Sequence, residues 1–136
     1  MTADDYAACT ALVHAFFAGL DGNDPDAVAA CFAPEGVWVR QGKPLAGPGV
    51  IRAACAARPA DRATAHVITN LSLRPEAPDR VTATFALLAY LSAREARGWS
   101  RPELAPIRAC TDALVRTPDG WRIGHKDSRQ LMPPAA

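Results

Sequence analysis

A histidine in the middle of a strand-like segment is the residue of this chain best suited to chemistry near neutral pH. The segment 64–73 alternates in character, so His66 shares one face with both polar and apolar side chains, while the opposite face is more continuously apolar. An imidazole gains and loses a proton near neutrality. A mixed wall of this kind is typical of a small-molecule pocket. His66 could equally be a structural residue whose ring nitrogens are hydrogen-bonded within the fold.

A carboxylate on a later predicted strand is a second candidate. Asp112 shares a strand face with Cys110 and Leu114. If that face is concave, Asp112 enters a pocket where burial would raise its pKa, and it could serve as a base or orient a histidine. The alternative is a buried salt bridge, to Arg116 or Arg122.

Composition indicates an ordinary globular protein. The 136 residues are 49% hydrophobic and 21% charged, with a formal net charge of +1, so we expect a single domain over 1–136 with its own core. The balanced charge favours neither a nucleic-acid partner nor a membrane surface. No apolar stretch is long enough to span a bilayer, and the N-terminus is acidic where a signal peptide would be basic. We therefore expect a cytoplasmic protein.

The residues that usually hold metals and cofactors are sparse. Four cysteines, Cys9, Cys31, Cys55 and Cys110, are widely spaced and form no C-x-x-C pair, so we expect reduced core residues. Three scattered histidines give no basis for a metal site. Neither a glycine-rich phosphate loop nor a G-x-S-x-G motif occurs. We expect no metal and no cofactor.

Helices are predicted first and long strands later. Thr2 and Asp5 form a capping-box pattern ahead of an apolar stripe that ends near Leu20, and Asp24-Pro25 starts a second helix. The remaining predicted elements are a short strand at 37–39, a helix at about 49–58, and strands at about 63–73, 80–93, 107–117 and 121–130. This order favours an α+β fold in which a long antiparallel sheet curls around the helices. Segment 94–106 could be a lid, an interface arm or a long hairpin loop.

Three local patterns, in this order, resemble the SnoaL-like branch of the nuclear transport factor two-like superfamily. They are LDGNDPD at 20–26, HVITN at 66–70, and DALVR at 112–116 running through GWRI at 120–123 to His125. The resemblance implies a cone-shaped α+β fold, in which a curved antiparallel sheet wraps around the N-terminal helices and encloses an apolar pocket. Relatives of this kind include scytalone dehydratase, bile-acid dehydratase and polyketide cyclases.

The resemblance also implies catalytic residues. Asp21 and His66 match the positions at which the dehydratases pair an aspartate, at the end of the first helix, with a histidine on a strand. Such a carboxylate fixes the histidine tautomer and leaves the other ring nitrogen able to move a proton. A second histidine of scytalone dehydratase has no match here, and Tyr90 is a candidate substitute donor. Asp112 or Tyr90 would assist at the substrate oxygen.

Four further residues are expected to bind the substrate. Phe16 is one of two positions that correspond to a pocket tyrosine of the relatives, and Cys110 corresponds to a pocket asparagine. Arg129 corresponds to an arginine at the pocket mouth, where it could bind a carboxylate or enolate; the alternative is a solvated terminal arginine. Trp38 is expected in the core or at an interface, and we include it among the substrate contacts.

Two functions are consistent with these residues. One is a cofactor-independent acid–base catalyst of the dehydratase, isomerase or cyclase type, acting on a hydrophobic cyclic or polyketide-like small molecule. The other is a non-catalytic ligand-binding or assembly module that resembles the small subunit of ring-hydroxylating dioxygenases. In both cases we expect a homodimer, formed through an apolar back face of the sheet to which Val67, Leu71 and Leu73 contribute.

Overall fold

The computed structural model describes residues 1–135, which form three helices and eight strands. The helices are α1 (Ala3–Asp21), α2 (Pro25–Ala30) and α3 (Pro48–Ala56); the strands are β1 (Phe32–Arg40), β2 (Lys43–Ala46), β3 (Arg62–Ala77), β4 (Arg80–Glu95), β5 (Gly98–Trp99), β6 (Glu103–Leu104), β7 (Ile107–Thr117) and β8 (Gly120–Met132). Every predicted helix and strand occurs. Within the described residues, no helix is both long and apolar enough to cross a membrane.

The N-terminus of α1 is fixed by the capping box that the sequence predicts. The Thr2 hydroxyl accepts the backbone N–H of Asp5 at 3.1 Å, and the Asp5 carboxylate accepts the backbone N–H of Thr2 at 3.0 Å. The same carboxylate accepts Trp121 Nε1–H at 3.1 Å and Arg116 Nη2–H at 2.9 Å, which ties α1 to the β7–β8 hairpin. These bonds, the one from the Thr2 backbone foremost, hold the pKa of Asp5 well below its usual range.

The main sheet has the strand order β2-β1-β8-β7-β4-β3, with β5 and β6 added against β4. Its pairs are antiparallel except for β1 and β8, which run parallel. Helix α1 packs against β3 and β8, so its apolar stripe fills the concave side of the sheet. The α+β class is therefore confirmed, with a large curved sheet that does not close on itself. The four cysteines are buried and free.

A bulge in β3 changes which side chains face the core. Asn70 has a φ of +57°, a left-handed conformation that asparagine tolerates better than most residues, and the register with β4 shifts between Thr69 and Ser72. Leu71 and Leu73 therefore pack against the core, whereas Val67 is 48% exposed on the outer face. The prediction that Leu71 and Leu73 belong to an apolar back face is wrong, because simple alternation does not survive the bulge.

A second bulge, in β8, has the larger consequence for the interior. The register between β7 and β8 shifts between Ala113 and Leu114, leaving Gly124 as the extra residue. Ile123 is buried, His125 is exposed, and Lys126 is only 4% exposed. The bulge thus directs His125 outward and the lysine that follows it inward.

The segment between β4 and β7 folds back along β4. Trp99 in β5 pairs with Arg94, and Leu104 in β6 pairs with Tyr90. The guanidinium of Arg94 lies 4.6 Å from the centroid of the Trp99 ring. Segment 94–106 thus has the form of a long hairpin loop that carries two short strands, and Leu104 is 46% exposed on it.

Candidate functional site

A cavity of about 250 Å³ lies between α1 and the concave face of the sheet. Its apolar lining is aromatic and aliphatic, and includes Phe16, Phe17, Leu20, Trp38, Leu87 and Ala89. Polar side chains converge on it from several strands, including His66, Arg108 and Lys126. An apolar cavity with a few convergent polar groups is the usual form of a small-molecule site, and this one is slightly smaller than the usual range of about 300–1,000 Å³.

Asp21 and His66 are paired at the wall of this cavity. Asp21 is the last residue of α1, and His66 lies on the inward face of β3. Asp21 Oδ1 is 2.5 Å from His66 Nδ1, and Asp21 Oδ2 accepts the backbone N–H of His66 at 2.9 Å. The Thr64 hydroxyl donates to Asp21 Oδ1 at 2.8 Å. The Asp21 carboxylate therefore makes three hydrogen bonds, and two of them are to His66.

Arg58 connects the end of α1 to β3. Its Nη1–H donates to the backbone oxygen of Leu20 at 2.8 Å, and its Nη2–H donates to the Thr64 hydroxyl at 3.3 Å. The side chain thus joins the C-terminal turn of α1 to the strand that carries the histidine. Because Arg58 bonds both elements, it stabilises the position of Asp21 relative to His66. A cation near a helix C-terminus also complements the helix dipole.

The pairing determines which nitrogen of His66 faces the cavity. Nδ1 is occupied by Asp21, an acceptor, so the hydrogen-bond network assigns a proton to Nδ1 in the neutral ring. Nε2 is left to the cavity, and only 11% of the side chain is exposed. The Phe17 ring centroid lies 5.1 Å from the imidazole. This arrangement can accept a proton at Nε2 and stabilise the resulting cation through Asp21.

A second ionisable pair lies deeper in the core. Lys126 Nζ is 3.1 Å from both carboxylate oxygens of Asp112, whose side chain is completely buried. Burial raises the pKa of Asp112, although Lys126 opposes the shift. The salt-bridge interpretation of Asp112 is thus correct, but the partner is Lys126 and not Arg116 or Arg122. Asp112 itself does not line the cavity; the lysine does.

The Lys126 ammonium lies among three aromatic rings. Its Nζ is 4.4 Å from the Phe16 centroid, 4.6 Å from that of Phe17 and 5.2 Å from that of Phe85. Cation–π attraction from each ring partly compensates for the loss of hydration. The Phe17 ring centroid is 5.1 Å from the centroid of the His66 ring and 4.6 Å from Lys126 Nζ. Because His66 and Lys126 both lie next to this ring, one bound molecule can contact both.

Three of the four predicted substrate contacts line the cavity: Phe16, Trp38 and Cys110. Phe16 and Trp38 form an edge-to-face pair with centroids 5.1 Å apart. Burial raises the pKa of the Cys110 thiol to about 11, so the thiol is neutral at physiological pH. These residues supply shape and apolar surface and carry no charge.

Tyr90 and Arg129 do not face the cavity, which corrects the expectation for both. Tyr90 pairs with Ala65 and alternates with the cavity residues Ala89 and Leu91, so it lies on the outer face of β4. Arg129 is exposed and lines a groove of about 450 Å³ on the outer face of the sheet. The strand parity around each residue places it on the wrong side of the sheet for a role in this cavity.

Sequence reasoning missed the four cations that line the cavity, which are Arg40, Arg58, Arg108 and Lys126. Lys126 is hidden by the bulge at Gly124, because uninterrupted alternation from Ile123 would turn it outward. Arg108 is inward because it shares a face with Cys110 and Asp112, and that parity could have identified it. Among residues 1–135, no group of three or more His, Cys, Asp and Glu side chains is arranged to hold a metal ion.

Comparison with known structures finds the same fold over most of the chain. An NTF2-like protein with a cystatin-like fold from Novosphingobium aromaticivorans has a TM-score of 0.80 and 20% identity, covering 97% of this chain and 85% of its own. ActVI-ORFA from Streptomyces coelicolor has a TM-score of 0.78 and 21% identity, covering 92% and 96%. A protein from Catenulispora acidiphila in complex with S-DNPA has a TM-score of 0.76 and 21% identity, covering 95% of both chains.

Sequence comparison identifies the family. No curated protein matches the chain. The family model of the SnoaL-like domain matches residues 1–127. The chain therefore belongs to the SnoaL-like domain family, on the NTF2-like, cystatin-like fold.

Proposed function

We propose that this protein is a cofactor-independent acid–base catalyst that acts on a hydrophobic cyclic or polyketide-like carbonyl compound. The reaction class is dehydration, double-bond isomerisation or aldol-type cyclisation. One observation carries the proposal: Asp21 holds both the backbone N–H and the Nδ1 of His66, and leaves Nε2 to an apolar cavity. ActVI-ORFA and a protein in complex with S-DNPA are among the fold neighbours of this chain, which supports a small-molecule site.

All three reactions share their first step. His66 Nε2 removes a proton from a carbon next to the substrate carbonyl, and the bonding electrons move into the carbonyl to give an enolate. Asp21 stabilises the imidazolium that forms. The proton then returns to a departing hydroxyl in dehydration, to a distal carbon in isomerisation, or to the new alkoxide in cyclisation. Positioned proton transfer of this type contributes roughly 100- to 10,000-fold in rate.

Lys126 is the group we propose at the enolate oxygen. It lines the cavity, and two of its three N–H bonds are directed to Asp112, which leaves one for a ligand. A preorganised donor in a site of low dielectric stabilises developing negative charge effectively. Asp112, expected to assist directly, would act here as a positioning residue that holds the ammonium. Tyr90 has no part in this scheme because it lies on the outer face of β4.

The test follows proton transfer without requiring the natural substrate. A panel of cyclic ketones, 1,3-diketones and β-hydroxyketones is incubated in D₂O, and loss of the proton next to each carbonyl is measured by NMR. We expect accelerated exchange with the wild type and a decrease of roughly 100-fold or more for His66→Gln. His14→Gln is the matched control, since His14 is exposed on α1. Equal exchange by His66→Gln and wild type would refute the proposal.

A second candidate is an assembly or binding module, and the outer face of the sheet favours it. Val67 and Leu104 are 48% and 46% exposed there, next to Leu88 and Tyr90 on the same face. We infer that this patch pairs with a second copy to form a homodimer, which is compatible with catalysis in the cavity. Sedimentation equilibrium of the wild type and of Val67→Lys tests it. A monomeric wild type, or an unchanged dimer in the variant, would exclude this face.

A further inference from the structure

Cationic side chains are concentrated on the lining of the cavity. Arg40, Arg58, Arg108 and Lys126 all line it, with one lining carboxylate, Asp127. Two further carboxylates lie behind the lining, Asp21 on His66 and Asp112 on Lys126. The whole chain has a formal net charge of only +1. Positive charge collected on an apolar wall raises the local concentration of anionic ligands.

Three of these cations already interact with neighbouring groups of the protein. Lys126 is paired with Asp112, and Arg58 donates to Leu20 and Thr64. Arg40 lies over the Trp38 ring, with 5.5 Å between its guanidinium carbon and the ring centroid. Like Arg40 and Arg58, Arg108 forms no ion pair with a carboxylate among residues 1–135. Unlike Arg58, which donates from both Nη1 and Nη2, Arg108 donates from Nε and Nη2 alone within the described part of the chain.

Arg108 is nevertheless held firmly. Its Nε–H donates to the Ser128 hydroxyl at 2.7 Å and its Nη2–H donates to the Ser128 backbone oxygen at 3.0 Å. A guanidinium has five N–H bonds, so this contact uses one edge of the group. The end that carries one N–H each from Nη1 and Nη2 is left, and that pair matches the two oxygens of a carboxylate.

Arg108 and His66 lie on opposite sides of β4. Arg108 pairs with Leu87, and His66 pairs with Ala89, two residues further along β4 on the same face. Strand spacing puts the two Cα atoms roughly 12 Å apart across the concave face. Both side chains extend inward from these positions, so a compact ring system can reach one with each end.

We propose that the cavity binds an apolar carboxylic acid, with its carboxylate on Arg108 and its hydrocarbon body among Phe16, Phe17 and Trp38. The inference rests on the proposed function only for the identity of the site, and narrows the substrate class to cyclic carbonyl compounds that bear an acid group. It also moves the anion-binding role from Arg129, which lies on the outer face, to Arg108.

The experiment compares ligands that differ in charge alone. Binding of phenylacetate and phenylacetamide, and of 1-naphthylacetate and 1-naphthylacetamide, is measured by calorimetry at low salt. The wild type should prefer each acid over its amide by roughly 10-fold or more, as expected for hydrogen bonds to a charged group. Arg108→Gln should lose that preference while amide affinity changes less than about twofold. Arg108→Lys should keep part of it, since charge remains but the fork is lost.

Two controls separate this inference from the catalytic proposal. Arg129→Gln removes the same charge from the outer face and should retain the acid preference, and His66→Gln should retain it too. A wild type that binds acids and amides equally, or binds none of the four compounds, overturns the inference. So does an acid preference that survives in folded Arg108→Gln. Loss of proton exchange in His66→Gln with no acid preference in the wild type would leave the catalytic proposal standing alone.

Discussion

Asp21 contacts His66 twice, at the imidazole Nδ1 through Oδ1 and at the backbone N–H through Oδ2. The second contact sets the position of β3 and the first sets the orientation of the ring. The helix end that carries Asp21 is fixed in turn by Arg58, which also contacts Thr64 on the same strand. The geometry of the pair is thus determined by the junction between α1 and β3, not by the two side chains alone.

Replacing Asp21 should reduce both stability and catalysis. Asp21→Asn loses charge-assisted hydrogen bonds to His66 and Thr64, and we expect the free energy of unfolding to fall by about 1–3 kcal/mol. Proton exchange of the ketone panel should fall roughly 100-fold, because the tautomer of His66 is no longer enforced. Urea denaturation and the exchange assay measure the two effects. Asp26→Asn, an exposed carboxylate paired with Arg52, should change stability by less than about 0.5 kcal/mol. Equal effects of the two substitutions would argue against a built dyad.

The buried Lys126–Asp112 pair should be strongly coupled. Lys126→Met leaves a buried carboxylate unpaired and should cost about 3–5 kcal/mol, whereas the double variant with Asp112→Asn should recover part of that loss. Burial already raises the pKa of Asp112, and Lys126 is the main group that lowers it. Lys126→Met should therefore raise the pKa of Asp112 further. A raised pKa gives stability that is present below the ordinary carboxyl pKa of about 3.9 and lost as pH rises. Lys126→Met should therefore be less destabilised at about pH 5 than at about pH 8. Additive single and double variants would contradict the coupling.

The cavity thiol should be unreactive at neutral pH. Burial raises the pKa of Cys110, and also that of Cys9, to about 11. Alkylation by iodoacetamide in the folded protein should be slow at neutral pH and should accelerate about tenfold per pH unit, because only the thiolate reacts. A ligand that fills the cavity should protect Cys110 and leave Cys9, which does not line it, unaffected. Peptide mass spectrometry resolves the two sites, and fast labelling of Cys110 at neutral pH would contradict this picture.

The bulge at Asn70 can be tested with two residues that alternation alone assigns to the same face. Leu71 packs against the core, and Val67 is 48% exposed. Leu71→Ala should cost about 2–3 kcal/mol in the free energy of unfolding, and Val67→Ala less than about 0.5 kcal/mol in the monomer. Chemical denaturation of both variants at low protein concentration makes the comparison. Similar losses would mean that β3 alternates without interruption.

The sequence was sufficient for the elements that depend on local chemistry. The Thr2–Asp5 capping box, the Asp24-Pro25 helix start and the period of two along the later strands each act within a few residues, and each is confirmed. The juxtaposition of Asp21 and His66 came from the family resemblance, since residues 45 positions apart have no local signal that joins them.

What the sequence could not provide is the parity of side chains beyond a bulge. One extra residue at Asn70 or Gly124 reverses the faces of everything that follows in the strand. Alternation therefore misassigned Leu71 and concealed Lys126. Tyr90 was misplaced for a different reason: its chemistry suited a donor role, but its pairing with Ala65 puts it outside.

The most direct test of the dyad needs no substrate. Long-range ¹H–¹⁵N correlation spectra of the histidine side chains are recorded at about pH 8.5, above the ordinary pKa of an imidazole, for the wild type and Asp21→Asn. The dyad predicts that His66 carries its proton on Nδ1, that Nε2 is unprotonated, and that the assignment is lost in the variant, while the exposed His14 and His125 do not change. A His66 protonated on Nε2 in the wild type, or one that ignores the loss of the Asp21 charge, would contradict the central claim.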